Sequence, residues 1–367
     1  MTVPVAGTAG RLHEKWARLR AAWRGGDDGP LTAAERARLV EGIGRISAGL
    51  TRERELAGAR YLDDPSLLGA YLLFYWPRSY AQATSILGEL PGPLGRTLDL
   101  GAGPLPMTWA ALDRGATSVR ALDRSAEALA LGRRIGETSS IITQTWDAQS
   151  GDALPEGPFD TILLGHVLNE LYLSSGARAV ERRVTLVQAL LGRLAPGGRL
   201  VLIEPALRET SRALLQLRDR LASTAHIVAP CLVQLACPAL VKESDWCHAE
   251  RAWEPPAELV QLAELAKLHQ ERLKMSYLVL GNDRDVVPAD DALFRIVSGP
   301  MPQKGKHVLF GCGPRGRHAL VQRDRDADVF IELERGDLAR IEQLAPRGDG
   351  LRIEGPVVRI ARAGEPR

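Results

Sequence analysis

The chain has 367 residues, 45% of them hydrophobic and 25% charged, with a formal net charge of +2. That is the balance of an ordinary globular protein long enough for two domains, and it neither demands nor excludes a nucleic-acid partner. No apolar run reaches the roughly 18–20 residues of a membrane span, and "MTVPVAGTAGRLHEKW" lacks the basic start and apolar core of a secretory signal, so a cytoplasmic protein without a membrane partner is expected.

Residues 11–90 read as helical. In "LTAAERARLVEGIGRISAGLTRERELAG" apolar residues recur at helical spacing, and Thr32 with Glu35 three positions later is a capping-box pattern. "PSLLGAYLLFYWPRSYAQATSILGEL" continues as apolar helices with a break expected near Pro77, and "PGPLG" at 91–95 marks a turn. From Arg96 the texture changes. "RTLDL" (96–100), "SVRAL" (118–122), "SIITQT" (140–145), "DTILLG" (160–165) and "RLVLIE" (199–204) read as short buried strands. Helical patterns lie between them: "PMTWAALDRG", "SAEALALGRRIGE" and "ERRVTLVQALLGRLAPGG". Such alternation predicts a parallel sheet covered on both faces. "KMSYLVLG" (274–281) supplies a sixth strand after a long interruption, and beyond 291 the runs "ALFRIVSG", "KHVLFGCG", "RHALVQRD", "DVFIELERG" and "GLRIEGPVVRIA" predict hairpins or a small barrel.

"TLDLGAGPLPMTWAAL" is a strand, a glycine turn and a helix start. Glycines let a backbone approach a ligand, and a helix N-terminus offers free N–H groups. Asp123, closing the second strand about twenty residues on, stands where a carboxylate can take ribose hydroxyls. A dinucleotide site wants a third glycine, but Pro106 occupies that position. "DLGAGP" followed by an acid ending the next strand resembles the first motif of class I methyltransferases, and "FDTILLGHVLNEL" and "LAPGGRLVLIEP" resemble the fourth and fifth strand signatures of that superfamily. The resemblance implies S-adenosylmethionine as cofactor, bound by Asp99, Gly101, Gly103, Asp123, Asp147 and His166, with Asp147 of "WDAQS" at the adenine amine. It also places an acceptor pocket beyond the fourth and fifth strands, with Asn169 accepting from an amine and Glu170 acting as base or orienting group.

Three of the four cysteines, Cys231, Cys237 and Cys247, crowd into "CLVQLACPALVKESDWCH", and Cys312 follows in "HVLFGCGPRG". Disulfides, a metal site and plain packing are all open to such a set. The spacing is not the paired C-x2–4-C of a structural zinc site, and four thiolates suit either zinc or an iron–sulfur cluster. "CPALVKESDWCHAERAW", "KMSYLVLG" and "RIVSGPMPQKGKHVLFGC" together resemble the methyltransferase-like family acting in assembly of the mitochondrial small ribosomal subunit, with its bacterial relatives, over about residues 60–325. That resemblance implies a [4Fe–4S] cluster on Cys231, Cys237, Cys247 and Cys312, with zinc as the alternative and His248 beside the ligands. It departs from the family in having no histidine just after the first cysteine.

The expected architecture is α/β: an N-terminal helical region (1–92), a Rossmann-like class I methyltransferase sheet (93–225), an iron–sulfur loop with a return to the sheet (226–290) and a small C-terminal β domain (291–367). The expected function is an S-adenosylmethionine-binding protein acting on the small ribosomal subunit or its rRNA. The alternatives are a non-catalytic assembly factor and a methyltransferase for a protein or small molecule. Arginine-rich stretches such as "GPRGRHALVQRDR", and the N-terminal helices, are candidate phosphate contacts.

Overall fold

Helices α1 (Thr8–Arg24) and α2 (Ala33–Ser47) open the computed structural model, which describes residues 8–268, 271–283, 290–326 and 328–365. At the head of α2 the Thr32 hydroxyl accepts from the Glu35 N–H at 3.3 Å, and the Glu35 carboxylate accepts from the Thr32 N–H at 2.7 Å, completing the capping box. Helix α3 (Pro65–Ala70), capped by Asp64, runs through a π turn at Tyr71–Tyr75 into α4 (Trp76–Glu89). The expected break near Pro77 is thus a widened turn rather than an interruption. Proline has no N–H to donate, and in the turn just before it the Trp76 N–H reaches back five residues to the Tyr71 carbonyl.

The first sheet contains β1 (Arg96–Leu100), β2 (Ser118–Asp123), β3 (Ile141–Thr145), β4 (Phe159–Gly165), β5 (Leu194–Pro205), β6 (His226–Ala229), β7 (Ala249–Arg251) and β8 (Leu273–Gly281). Its order is β3-β2-β1-β4-β5-β8-β6, with β7 also paired to β8. Strands β1 to β5 pair in parallel, and β8 runs antiparallel to β5, β6 and β7. Helices α5 (Pro106–Asp113), α6 (Ala126–Arg133), α7 (Ala179–Leu191), α8 (Arg208–Leu221) and α9 (Ala257–Leu265) connect them. The strands are sandwiched, which is why they read as continuous apolar runs. Leu163, Val201, Ile203 and Val279 pack with Phe74 and Trp76 of the N-terminal helices, while Ile162, Leu164, Leu200 and Leu202 pack with Val187, Leu190 and Leu217 on the other face.

This is a Rossmann-like arrangement. Strand order reverses between β1 and β4, and ligands of such sheets sit beyond the carboxyl ends of the strands at that point. Two short strands and two helices escaped the sequence reading: β6, β7, α8 and α9. The predicted sixth strand is therefore eighth in chain order.

The second sheet holds β9 (Leu293–Ile296), β10 (Met301–Gln303), β11 (Lys306–Gly313), β12 (Gly316–Arg323), β13 (Leu338–Ile341), β14 (Leu344–Arg347), β15 (Gly350–Ile353) and β16 (Val357–Ala361). Its order is β14-β15-β12-β11-β9-β13-β16, with β10 on β11, around a separate core that includes Phe294, Leu309, Leu320 and Phe330. The run "DVFIELERG", expected as a strand, instead begins with a turn of helix, α10 (Asp328–Ile331). Its two fully buried apolar residues, Phe330 and Leu333, lie three apart, which is helical rather than alternating spacing. No helix among the described residues is long and apolar enough to cross a membrane.

Candidate functional site

A cavity of about 330 Å³ lies beyond the carboxyl ends of β1, β2 and β4. Gly101, Gly103, Asp123, Asp147, His166, Asn169 and Glu170 all contribute to its wall, so the fold gathers seven of the eight expected cofactor and catalytic residues. Gly101 has φ +73°, and a Cβ there would stand 2.3 Å from Val167 Cγ2, so only glycine fits. At Gly103 a Cβ would point across the gap toward Leu62 Cδ1, 3.5 Å away. The turn is a cradle that a side chain would fill.

Asp123 is held at the end of β2 by two amides. Its Oδ2 accepts from the Gly103 N–H and its Oδ1 from the Ser125 N–H, both at 2.8 Å. Burial nevertheless raises its pKa, with nearby Asp63 adding to the rise. Asp147 sits in a local turn, its Oδ1 accepting from the Gln149 N–H at 2.9 Å and its Oδ2 lying 3.8 Å from Arg60. Asp99, the eighth residue, is outside the cavity wall. Thr108 Oγ1 donates to it at 2.6 Å and burial lifts its pKa to about 7, so it ties α5 to β1 behind the glycine turn.

His166 is neutral. Burial and the neighbouring Arg78 charge lower its pKa to about 4, and its Nε2 lies 2.9 Å from Gln82 Oε1. The Gln82 amide nitrogen donates to the Lys274 carbonyl, so the ring donates to the Gln82 oxygen. Asn169 does not offer its amide to the cavity. With the amide oriented to satisfy its neighbours, the nitrogen donates at 2.9 Å to both Glu204 Oε2 and the His166 carbonyl. Asn169 thereby braces the loop after β4 against the end of β5, where Glu204 also accepts the Leu168 and Asn169 N–H groups at 2.9 and 3.1 Å. Glu170 does face the cavity. Tyr61 Oη and the Gly58 N–H approach it at 3.4 Å, and burial raises its pKa to about 7.

The roof of the cavity was not legible in the sequence. It comes from the loop after α2 and from α3–α4, with Tyr61, Asp63, Tyr71, Arg78 and Gln82 among the lining residues. Arg124, beside Asp123, fastens this roof by donating to the Gly58 carbonyl at 2.9 Å and to the Ala59 carbonyl.

The cysteines form a second candidate site, at the junction of the two sheets. All four are unlinked thiols. Arg218 of α8 is buried and donates to the Val233 and Leu235 carbonyls, while Asp219 accepts from the Cys237 N–H at 2.9 and 3.1 Å. Adjacent residues of one helix thus shape the loop between Cys231 and Cys237. Cys312, on β11, faces Arg317 of β12 and Arg295 of β9 in register. Burial pushes the Cys237 thiol up to about 11 and Cys247 and Cys312 to about 12, with Cys231 adding to each rise.

The expected metal centre is not formed as such: among the described residues no three His, Cys, Asp or Glu side chains group closely enough to hold a metal ion. The donor set still fits a thiophilic group in its chemistry. Four thiols share one electrostatic neighbourhood, and the Arg218 and Arg317 Nε–H groups beside them are buried without an acceptor. His248 turns to Glu250 at 2.9 Å and stacks on Trp246.

In "GPRGRHALVQRDR", Arg315 pairs with Asp291, Arg317 with Asp245 and Arg325 with Asp326.

Among solved structures, the chain is similar to a SAM-dependent methyltransferase from Leishmania major, at 14% identity over 66% of this chain and 82% of that one, with a TM-score of 0.40. It is also similar to the N-methyltransferase NodS from Bradyrhizobium japonicum in complex with S-adenosyl-L-homocysteine, at 17% identity over 67% and 100% and a TM-score of 0.37. A third similarity is to an S-adenosylmethionine-dependent methyltransferase from Mesorhizobium loti, at 19% identity over 55% and 97% and a TM-score of 0.34. No curated protein sequence matches. The model of the family described as mitochondrial small ribosomal subunit Rsm22 matches residues 68–336, and the chain belongs to that family.

Proposed function

We propose that this protein binds S-adenosylmethionine and acts, as a methyltransferase-like factor, on the small ribosomal subunit or its RNA. The observation that carries the cofactor is the convergence of the Gly101–Gly103 cradle, Asp123 and Asp147 on one cavity at the switch point of the sheet. Asp123 keeps lone pairs for ribose hydroxyls while its amide bonds hold it in place, and Asp147 Oδ2, 3.8 Å from Arg60 and accepting no hydrogen bond from the described residues, can accept from an exocyclic amine. The bound cofactor would supply a methyl group on a sulfonium, already a good leaving group, so the chain's part is positioning. His166, held neutral, adds no positive charge to the cavity wall. Glu170 is the carboxyl placed to orient an acceptor or take its proton. The ribosomal context rests on the family description.

The four cysteines are proposed to hold a [4Fe–4S] cluster, with zinc as the alternative. The support is the shared neighbourhood of the thiols and the buried arginines beside them, which would offset the charge of a thiolate-bound group.

A binding-only assembly role is the second reading. It draws on Asn169, whose amide is taken up by Glu204 and the His166 carbonyl.

Calorimetry with S-adenosylmethionine and S-adenosylhomocysteine tests the cofactor, and absence of heat at high ligand concentration would end that reading. Co-sedimentation with small ribosomal subunits, weakening as salt rises, tests the partner. Methyl transfer to subunit RNA then separates enzyme from scaffold.

A further inference from the structure

We propose that Arg78 is the anion receptor of the cavity and takes the carboxylate at the amino-acid end of the cofactor. This rests on the cofactor reading above and names a residue that neither the motifs nor the family description identifies.

Three arginines wall the cavity: Arg60, Arg78 and Arg124. Two of them already have partners. Arg60 stands 3.4 Å from Asp63 and 3.8 Å from Asp147, and Arg124 is bound to the Gly58 and Ala59 carbonyls. Arg78, on α4, is different. Among the described residues it has neither an ion pair nor a hydrogen bond, and its electrostatic neighbours are the Tyr75 hydroxyl and the neutral His166 ring. Arg78 is half-buried at the cavity wall; a guanidinium stays charged in any protein environment, and a partly desolvated charge without a counter-ion is unfavourable. Its planar fork matches a carboxylate in a two-bond arrangement.

The rest of the wall supplies the complementary end. Burial raises the Asp123 pKa and the Asp63 carboxylate adds to the rise, while Asp63 Oδ1 is buried with no donor. The cavity is therefore acidic toward the ends of β2 and β3 and has an unanswered cation at α4. A ligand with hydroxyls and an amine at one end and a carboxylate at the other satisfies both. The cavity volume of about 330 Å³ suits one such small molecule. An α-amino acid joined to a nucleoside is that chemistry.

The test crosses a truncated ligand with a substitution. S-adenosylhomocysteine carries the amino-acid end, and 5′-methylthioadenosine lacks it. Calorimetry on the full chain and on Arg78→Gln should show the substitution weakening S-adenosylhomocysteine by roughly 10- to 100-fold while 5′-methylthioadenosine is unchanged. Arg78→Lys, which keeps the charge but not the fork, should give an intermediate loss on S-adenosylhomocysteine alone, and it carries the test if the Gln variant does not fold. If both ligands weaken alike, or neither does, Arg78 is not the carboxylate receptor although the cofactor reading stands. If the unmodified chain binds neither ligand, the cofactor reading fails and the role of Arg78 falls with it.

Discussion

The Gly103 amide donates to Asp123 Oδ2 at 2.8 Å, joining the turn after β1 to the end of β2. Because β1 and β2 are paired in parallel through Leu100 and Leu122, the bond closes a loop between neighbouring strand ends and holds the carboxylate over the cavity. Asp123→Ala removes this bond and the proposed ribose contacts together. Affinity for S-adenosylmethionine should fall by roughly 2–3 kcal/mol, since hydrogen bonds to a charged group are the stronger kind. Calorimetry checks this, and an affinity equal to that of the unmodified chain would contradict it.

Glu170 makes stability depend on pH. Its pKa is about 7 in the folded chain against an ordinary value of 4.5, because burial opposes its charge. As pH rises from about 4.5 the unfolded chain loses this proton before the folded one does. The stabilisation is whole below that range and declines until pH passes 7. Glu170→Gln should flatten this slope, so that between pH 5 and 8 the variant loses less stability than the unmodified chain by on the order of 2 kcal/mol. Urea unfolding at the two pH values measures the difference, and equal slopes would refute the assignment.

The buried pair Glu89–Arg251 ties α4 to β7. Glu89 also accepts from Tyr277 Oη at 2.8 Å and from the Gly364 N–H at 3.0 Å, so one carboxylate joins the N-terminal helices, the first sheet and the C-terminal turn. Glu89→Ala leaves Arg251 buried without its counter-ion and should destabilise the protein by about 3–5 kcal/mol. Replacing both residues by apolar ones should recover much of that loss. Denaturant midpoints for the single and double variants decide it.

The thiols make a prediction independent of the cavity. Protein prepared without oxygen should be brown, with visible absorption bleached by dithionite, and should carry iron and sulfide. Substituting any one of Cys231, Cys237, Cys247 or Cys312 by Ser should remove most of the iron. Colourless protein with one equivalent of zinc, even when iron is plentiful, would replace the cluster by a single ion. Arg218→Leu, which releases the Val233 and Leu235 carbonyls, should lower metal content while sparing cofactor binding.

Local pattern carried much of this protein. The capping box at Thr32 and Glu35, the five parallel strands and the glycine turn were all legible because each depends on residues within one helix or one strand–turn unit. Alternation of buried strands with amphipathic helices dictates a parallel sheet, and the reversal between β1 and β4 then dictates where a ligand sits. The cysteine set was visible too, but spacing could not show whether the thiols group as a metal centre, and among the described residues no such group forms.

Contacts between distant segments were beyond the sequence. The pairing of β6 and β7 with β8 spans long loops, and runs as short as "HIVA" and "AER" carry too few residues to show a period. The site divides in the same way. Gly101, Gly103, Asp123 and Asp147 follow from the order of strands, whereas Asp99 turns to Thr108, Asn169 turns to Glu204, and Arg78 reaches the cavity only because α4 packs across the sheet. A side chain's direction and its partner are set by which helix covers which face, and that is decided by burying both faces of the sheet at once, a condition on the whole chain rather than on any stretch of it.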